Sequence, residues 1–203
     1  MSDVDRKDIF AGKDPIQIFR DWYTTAKKSE INDPDAIALA TVNKAGAPNV
    51  RMVLLRFIEN DGFVFFTNYN SQKGNEILDT GKAAFVCHWK SLKRQIRVRG
   101  NTEKENGALA DSYFKNRSVE SRLGAWASKQ SQPLPDRDVL TERFEAAKVR
   151  YEENPSRPNF WGGFRLKPLE IEFWSEGEHR LHDRFLWQRA GFEKEWLVNR
   201  LYP

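Results

Sequence analysis

Between Ala36 and Asn68 the chain reads as three short apolar runs joined by tight turns, and this spacing constrains the fold more than any other stretch. Ala36–Val42, Asn49–Ile58 and Phe63–Asn68 each have strand length. Asn43-Lys44-Ala45-Gly46-Ala47-Pro48 separates the first pair, and Glu59-Asn60-Asp61-Gly62 separates the second. Asp-Gly is a hairpin signal, because both residues tolerate the backbone of a tight turn. Three antiparallel strands with short turns make a meander.

The flanking sequence adds helices and further strands. Residues 1–13 read as frayed, so a flexible segment 1–14 is expected ahead of a single domain, 15–203. Asp14-Pro15 is an N-cap followed by a first helical position. Ile16, Phe19, Trp22, Tyr23 and Ala26 recur at helical spacing and predict a helix over 15–28. Asn32-Asp33-Pro34-Asp35 then breaks the chain. Ser71–Thr80 has a helical pattern, capped by Ser71 and stopped by Gly81. Lys82–Trp89 is an apolar strand. In Arg94–Gly100 the alternation places Gln95, Arg97 and Arg99 on one face and Ile96 and Val98 on the other. Helices are expected at 107–117, 119–128 and 137–153, a long strand from Trp161 to Trp174, and a last strand over 195–201. Seven or so strands, mostly antiparallel, with peripheral helices, predict an α+β domain built on a β-barrel.

A chain of 203 residues can bury a real core, and its 14 Phe and 7 Trp offset a mean hydropathy of -0.71. The single cysteine, Cys87, excludes an internal disulfide and a multi-cysteine zinc site, and its apolar neighbours predict a buried, inert thiol. The N-terminus has no apolar leader and no stretch approaches a membrane span, so a soluble cytoplasmic protein without a membrane partner is the expectation. Net charge is +4 and the pI about 9.1. That excess fits nucleic acid or small phosphorylated ligands, and the spread of arginines along the chain favours pockets over a basic arm. Neither the dinucleotide-binding glycine pattern, nor the P-loop, nor the Gly-x-Ser-x-Gly elbow occurs. His179 and His182 would face opposite ways on a strand, and no metal site is expected.

The stretch Arg180-Leu181-His182-Asp183-Arg184-Phe185 reads as a strand, with Arg180, His182 and Arg184 on one face. Two guanidinium groups flanking an imidazole suit an anionic or electron-accepting group lying across them; a solvated strand face is the alternative. Arg51, Arg56, Thr67, Ser71, Lys73, Gln95, Arg117, Ser121, Gln130 and Ser131 complete a polar set on strands and turns. Arginine forks and hydroxyls suit phosphate oxygens, and amides suit the edge of a heteroaromatic ring.

Together these strings resemble the pyridoxamine (pyridoxine) 5′-phosphate oxidase family. The resemblance is carried by Arg51-Met52-Val53-Leu54-Leu55-Arg56, Phe66-Thr67-Asn68 with Ser71-Gln72-Lys73, and Arg94-Gln95-Ile96-Arg97-Val98. It continues through Tyr113-Phe114-Lys115-Asn116-Arg117, Gly124-Ala125-Trp126-Ala127-Ser128-Lys129-Gln130-Ser131 and Trp161-Gly162-Gly163-Phe164-Arg165. Glu172-Phe173-Trp174, the Arg180–Phe185 string and Arg200-Leu201-Tyr202-Pro203 complete it. It spans nearly everything from Pro15 onward and implies a split β-barrel and a homodimer with FMN at the subunit interface. By position, Arg51, Met52, Val53, Leu54, Leu55, Arg56, Phe66, Thr67, Gln72, Lys73 and Gln95 would line FMN, completed by Gln130, Ser131, Trp174 and Arg184. The substrate phosphate would meet Arg56, Tyr113, Arg117 and Ser121, while Arg180 and His182 would face the substrate ring as catalytic residues.

The implied reaction is oxidation of pyridoxamine or pyridoxine 5′-phosphate to pyridoxal 5′-phosphate, with the substrate hydride passing to the flavin and oxygen yielding hydrogen peroxide. A nucleic-acid partner is not expected. Three positions depart from the pattern: Arg56 replaces the usual Lys, Gln72 a common Arg, and Phe66 a common Tyr. Losing the cation at 72 predicts weaker FMN retention, not loss of function.

Overall fold

The computed structural model describes residue 10, residue 12, residues 14–152 and residues 154–203. Of the segment expected to be flexible, all but Phe10, Gly12 and Asp14 lies outside the described residues. Phe10 is buried, its ring 4.5 Å from that of Phe185.

Helix α1 (Pro15–Ser29) starts as its sequence dictates, with Asp14 Oδ1 accepting from the Ile16 N–H at 2.9 Å. Its apolar stripe lies against the barrel. Phe19 sits 4.8 Å from Phe63, and Trp22 sits 5.2 Å from Phe173, ring centre to ring centre.

The strands are β1 (Ala36–Val42), β2 (Pro48–Ile58), β3 (Phe63–Asn68), β4 (Lys82–Trp89), β5 (Arg94–Glu105), β6 (Trp161–Ser175), β7 (Asp183–Gln188) and β8 (Leu197–Leu201). Their order is β3-β2-β1-β4-β5-β6-β7-β8, all antiparallel, and β3 pairs again with β6 to close the barrel. The first half of β6 pairs with β3 and its second half with β7, so one long strand belongs to the barrel and to its extension. The fold is an α+β split barrel. Strand β5 runs past the expected end at Gly100 to Glu105, because its polar second half finds a partner in β6.

Helix α2 (Gln72–Thr80) is capped by Ser71 and stopped at Gly81, whose φ of 66° suits glycine. Helices α3 (Ala108–Lys115), α4 (Val119–Ala127) and α5 (Arg137–Tyr151) form the excursion between β5 and β6. Inside, Phe19, Phe63, Phe65, Phe164 and Phe173 are fully buried, each side chain contributing roughly 1.5–3 kcal/mol. Cys87 is also buried, and burial pushes its thiol up to about 12, the inert thiol expected.

One expected element is corrected. The stretch from Arg180 is not a strand until Asp183: Glu178–Arg180 form a 3₁₀ turn, with His179 at φ 53° and Arg180 at φ 64°. Consecutive left-handed residues destroy the pleat, so alternation along a strand does not bring Arg180, His182 and Arg184 onto one face.

Candidate active site

A cleft of about 460 Å³ opens where β2 and β3 face the α3–α4 excursion. Its lining includes Met52, Val53, Leu54, Arg56, Phe66, Thr67, Lys73, Tyr113, Arg117, Ser121 and Gln130 from the sequence-predicted set. Asn68, Gly124, Ala125, Ser128 and Trp161 line it as well. Sequence reasoning missed these five as site residues. Trp161 carried a usable signal, a bulky aromatic entering a strand through Gly162-Gly163; the small residues of α4 carried none.

At one position in the cleft a cation is buried. Ser71 Oγ accepts from the Gly74 N–H at 3.2 Å, which fixes the start of α2 and places Lys73 in its first turn. Lys73 is only 9% exposed. Its Nζ donates to Gln130 Oε1 at 3.2 Å, Thr67 Oγ1 at 3.4 Å and Ser71 Oγ at 3.5 Å. Thr67 Oγ1 also donates to Gln130 Oε1, at 3.2 Å. Burial, and then the Arg51 charge, push the lysine below its usual pKa, against a pull from Glu76. A buried ammonium among neutral acceptors, at a helix N-terminus, is arranged to receive an anion.

A second cationic group stands on an aromatic wall. The Phe66 ring lies 4.1 Å from Tyr113 and 5.5 Å from Trp161, tilted by 9° and 5°. Arg117 lies over Trp161 at 4.9 Å, and Arg56 lies 5.9 Å from Tyr113. Arg117 Nη1 is buried without a hydrogen-bond partner among the described residues, and burial lowers the guanidinium pKa from a value so high that it stays charged. Arg56 pairs with Asp35 at 2.8 Å. Ser121 lies in the first turn of α4, its N–H donating to the N-cap Ser118 Oγ at 3.2 Å. The Arg117 donor, the Arg56 fork and the Ser121 hydroxyl make a second anion seat.

Other predicted residues do not line this cleft. Leu55 is in the core. Arg51 and Gln72 turn to Glu76: Arg51 Nη2 lies 3.3 Å from Oε2, and Gln72 Nε2 donates to Oε1 at 3.2 Å. Thr41 and Asn49 donate to the same carboxylate. Burial would raise the Glu76 pKa, but Thr41, Asn49, Arg51 and Gln72 hold it below the usual glutamate value. Ser131 follows Gln130 at φ 69°, outside the lining.

Gln95, Trp174 and Arg184 sit side by side across β5, β6 and β7 by register. Arg184 donates to Glu172 at 2.8 Å and to the Tyr202 carbonyl at 2.9 Å. The His182 ring is 4.7 Å from Trp174, and Arg180 lies in the adjoining turn. This row shares a sheet face with the cleft floor, through Met52, Ala38, Val86, Arg97, Glu172 and Leu186 in successive register. The face carries Val50 at 65%, Met52 at 64% and Leu54 at 37% exposure beside the alanines of β1. Among the described residues, no cluster of three or more His, Cys, Asp or Glu could hold a metal, and no helix is long and apolar enough to cross a membrane.

Comparison with known proteins gives a consistent result. Residues 23–151 match a family model described as pyridoxamine 5′-phosphate oxidase, and residues 161–203 match the pyridoxine 5′-phosphate oxidase C-terminal dimerisation region. A pyridoxine/pyridoxamine 5′-phosphate oxidase of Cereibacter sphaeroides is 58% identical, over 98% of this chain and 100% of its own length. One from Ruegeria is 57% identical, over 98% and 99%. Among solved structures, PhzG from Burkholderia lata, in complex with tetrahydrophenazine-1-carboxylic acid, superposes with a TM-score of 0.89 at 30% identity, covering 96% of this chain and 95% of that one. A related FMN-binding protein of Nostoc punctiforme, 18% identical, shares the fold with a TM-score of 0.76, over 95% of this chain and 100% of its own.

Proposed function

The chain belongs to the pyridoxamine 5′-phosphate oxidase family, and we propose that it oxidises pyridoxamine or pyridoxine 5′-phosphate to pyridoxal 5′-phosphate, using FMN in a homodimer. The observation that carries this reading is a pair of cations in one cleft, the buried Lys73 and the half-buried Arg117 with its Nη1 atom enclosed, neither forming an ion pair among the described residues. A monophosphate cofactor and a monophosphate substrate need two such seats.

FMN, when bound, supplies the electron acceptor. Lys73, Thr67 and the N-terminus of α2 hold its phosphate. Met52, Leu54 and Phe66 give a flat ring an apolar bed. Arg56, Arg117 and Ser121 anchor the substrate phosphate, so that the reacting carbon is positioned before chemistry begins. Gln95, Trp174 and Arg184 line no part of this cleft, yet share the apolar sheet face that borders it, and Arg180 and His182 adjoin that row from the turn before β7. A second copy seated on that face brings its own row to the cleft, which makes the site a shared one. The alcohol substrate and oxygen give the aldehyde and hydrogen peroxide; the amine also takes up water and releases ammonia.

The reading is tested by mixing FMN-loaded protein anaerobically with pyridoxine 5′-phosphate. The yellow flavin band is expected to bleach and to return when oxygen is admitted. A bound flavin that neither phosphate bleaches would overturn it.

A further inference from the structure

The turn between β6 and β7 brings a backbone amide onto an imidazole. After Ser175 the chain folds back through the left-handed His179 and Arg180, and the Gly177 N–H meets His182 Nδ1 at 3.2 Å. A backbone N–H only donates. Nδ1 is therefore the acceptor, and in the neutral ring the proton sits on Nε2. Turning the ring over would place a C–H against the amide and leave that amide unpaired. Glycine is needed at 177, because a Cβ there would lie 1.9 Å from the Leu181 carbonyl oxygen. The Trp174 ring, 4.7 Å away, bounds the imidazole on another side.

We propose that Gly177 is a positioning residue that fixes His182 as an Nε2–H donor, so that neutral His182 holds a substrate oxygen or nitrogen by hydrogen bonding and does not take its proton. The substrate part of this proposal rests on the function proposed above. One ring nitrogen has its lone pair occupied by the Gly177 amide, and the other carries the proton. The ring has no free basic nitrogen to offer. Arg180, in the same turn, is always protonated and likewise only donates. Neither side chain then serves as the base.

The test uses FMN-loaded full-length protein labelled with ¹⁵N-histidine, at a pH where the imidazole is neutral. The chain has three histidines, and His182→Asn identifies the relevant signals. Nδ1 is expected as a bare nitrogen and Nε2 as an N–H nitrogen. The opposite tautomer, or averaging over both, overturns the proposal. Gly177→Ala is expected to lose the fixed tautomer while FMN affinity is unchanged. If that variant does not fold, turnover decides the donor role. His182→Gln keeps an N–H donor but has no basic nitrogen, and should exceed His182→Ala by about tenfold. Equal loss in the two overturns the role. The tautomer is read without substrate, so a protein with this tautomer and no turnover of either phosphate contradicts the proposed function and leaves the Gly177 contact standing.

Discussion

Lys73 Nζ and Gln130 Oε1 meet at 3.2 Å across the cleft, joining the first turn of α2 to the loop after α4. A carbonyl oxygen is a weak partner for a buried ammonium, so the site gains when an anion arrives. Lys73→Gln should therefore weaken FMN binding by about 10–100-fold, the cost of one charge-assisted hydrogen bond. The apoprotein should be no less stable, because a desolvated charge is removed. Fluorescence titration and thermal unfolding read the two effects. Unchanged FMN affinity would remove Lys73 from the site.

Gln72 spends its amide on Glu76 at 3.2 Å, in a carboxylate cluster shared with Arg51. Gln72→Arg adds a cation to the start of α2 and gives Glu76 a second charged partner beside Arg51. FMN should bind more tightly, by about fivefold for a partly exposed charge worth about 1 kcal/mol. The same titration checks it, and no tightening contradicts the link between residue 72 and flavin retention.

Arg117→Met should raise KM for the phosphorylated substrate by about 10–100-fold, since it removes a buried charged donor. FMN affinity should hold, because Lys73 and Arg117 belong to different seats. Steady-state kinetics beside an FMN titration separate the two. A loss of FMN with KM unchanged would exchange the assignments.

Acid should unfold the protein through Glu76 and Glu172. Burial alone would raise both pKa values. Hydrogen bonds from Thr41 and Asn49, the Arg51 charge and Gln72 outweigh it at Glu76, and Arg184 and Arg97 outweigh it at Glu172. A folded pKa below the unfolded one means that the unfolded chain binds the proton first. This stability is complete above the unfolded value of about 4.3 and is lost as pH falls through the lower folded values. Urea midpoints should fall on that acid limb, and Glu172→Gln should be weaker at neutral pH with a flatter limb. An unchanged slope would remove Glu172 as a source.

The barrel was legible because its strands are short, apolar and separated by turn residues with one physical reading. The caps at Asp14, Ser71 and Gly81 sit where their side-chain oxygens or positive φ require them. Arg180-Leu181-His182 misled, since its polar–apolar alternation matches a strand while the tight return at Gly177 bends it into a turn; that return depends on a contact with Leu181 that the pattern does not encode. Arg51 and Arg56 stand an odd number of residues apart, so alternation already set them on opposite faces, and only Arg56 reaches the cleft. Asp35 and Glu76, which hold these arginines, were invisible because each is a single carboxylate in a turn or helix whose partner comes from another strand.

The most direct test compares aerobic turnover of pyridoxine 5′-phosphate with that of unphosphorylated pyridoxine by the FMN-loaded protein, following aldehyde and peroxide together. Two anion seats predict equal amounts of both products from the phosphate ester, and a kcat/KM at least about 100-fold lower without the phosphate. Equal efficiency on the two alcohols, or no aldehyde from the ester while FMN stays bound, would contradict the two-seat account.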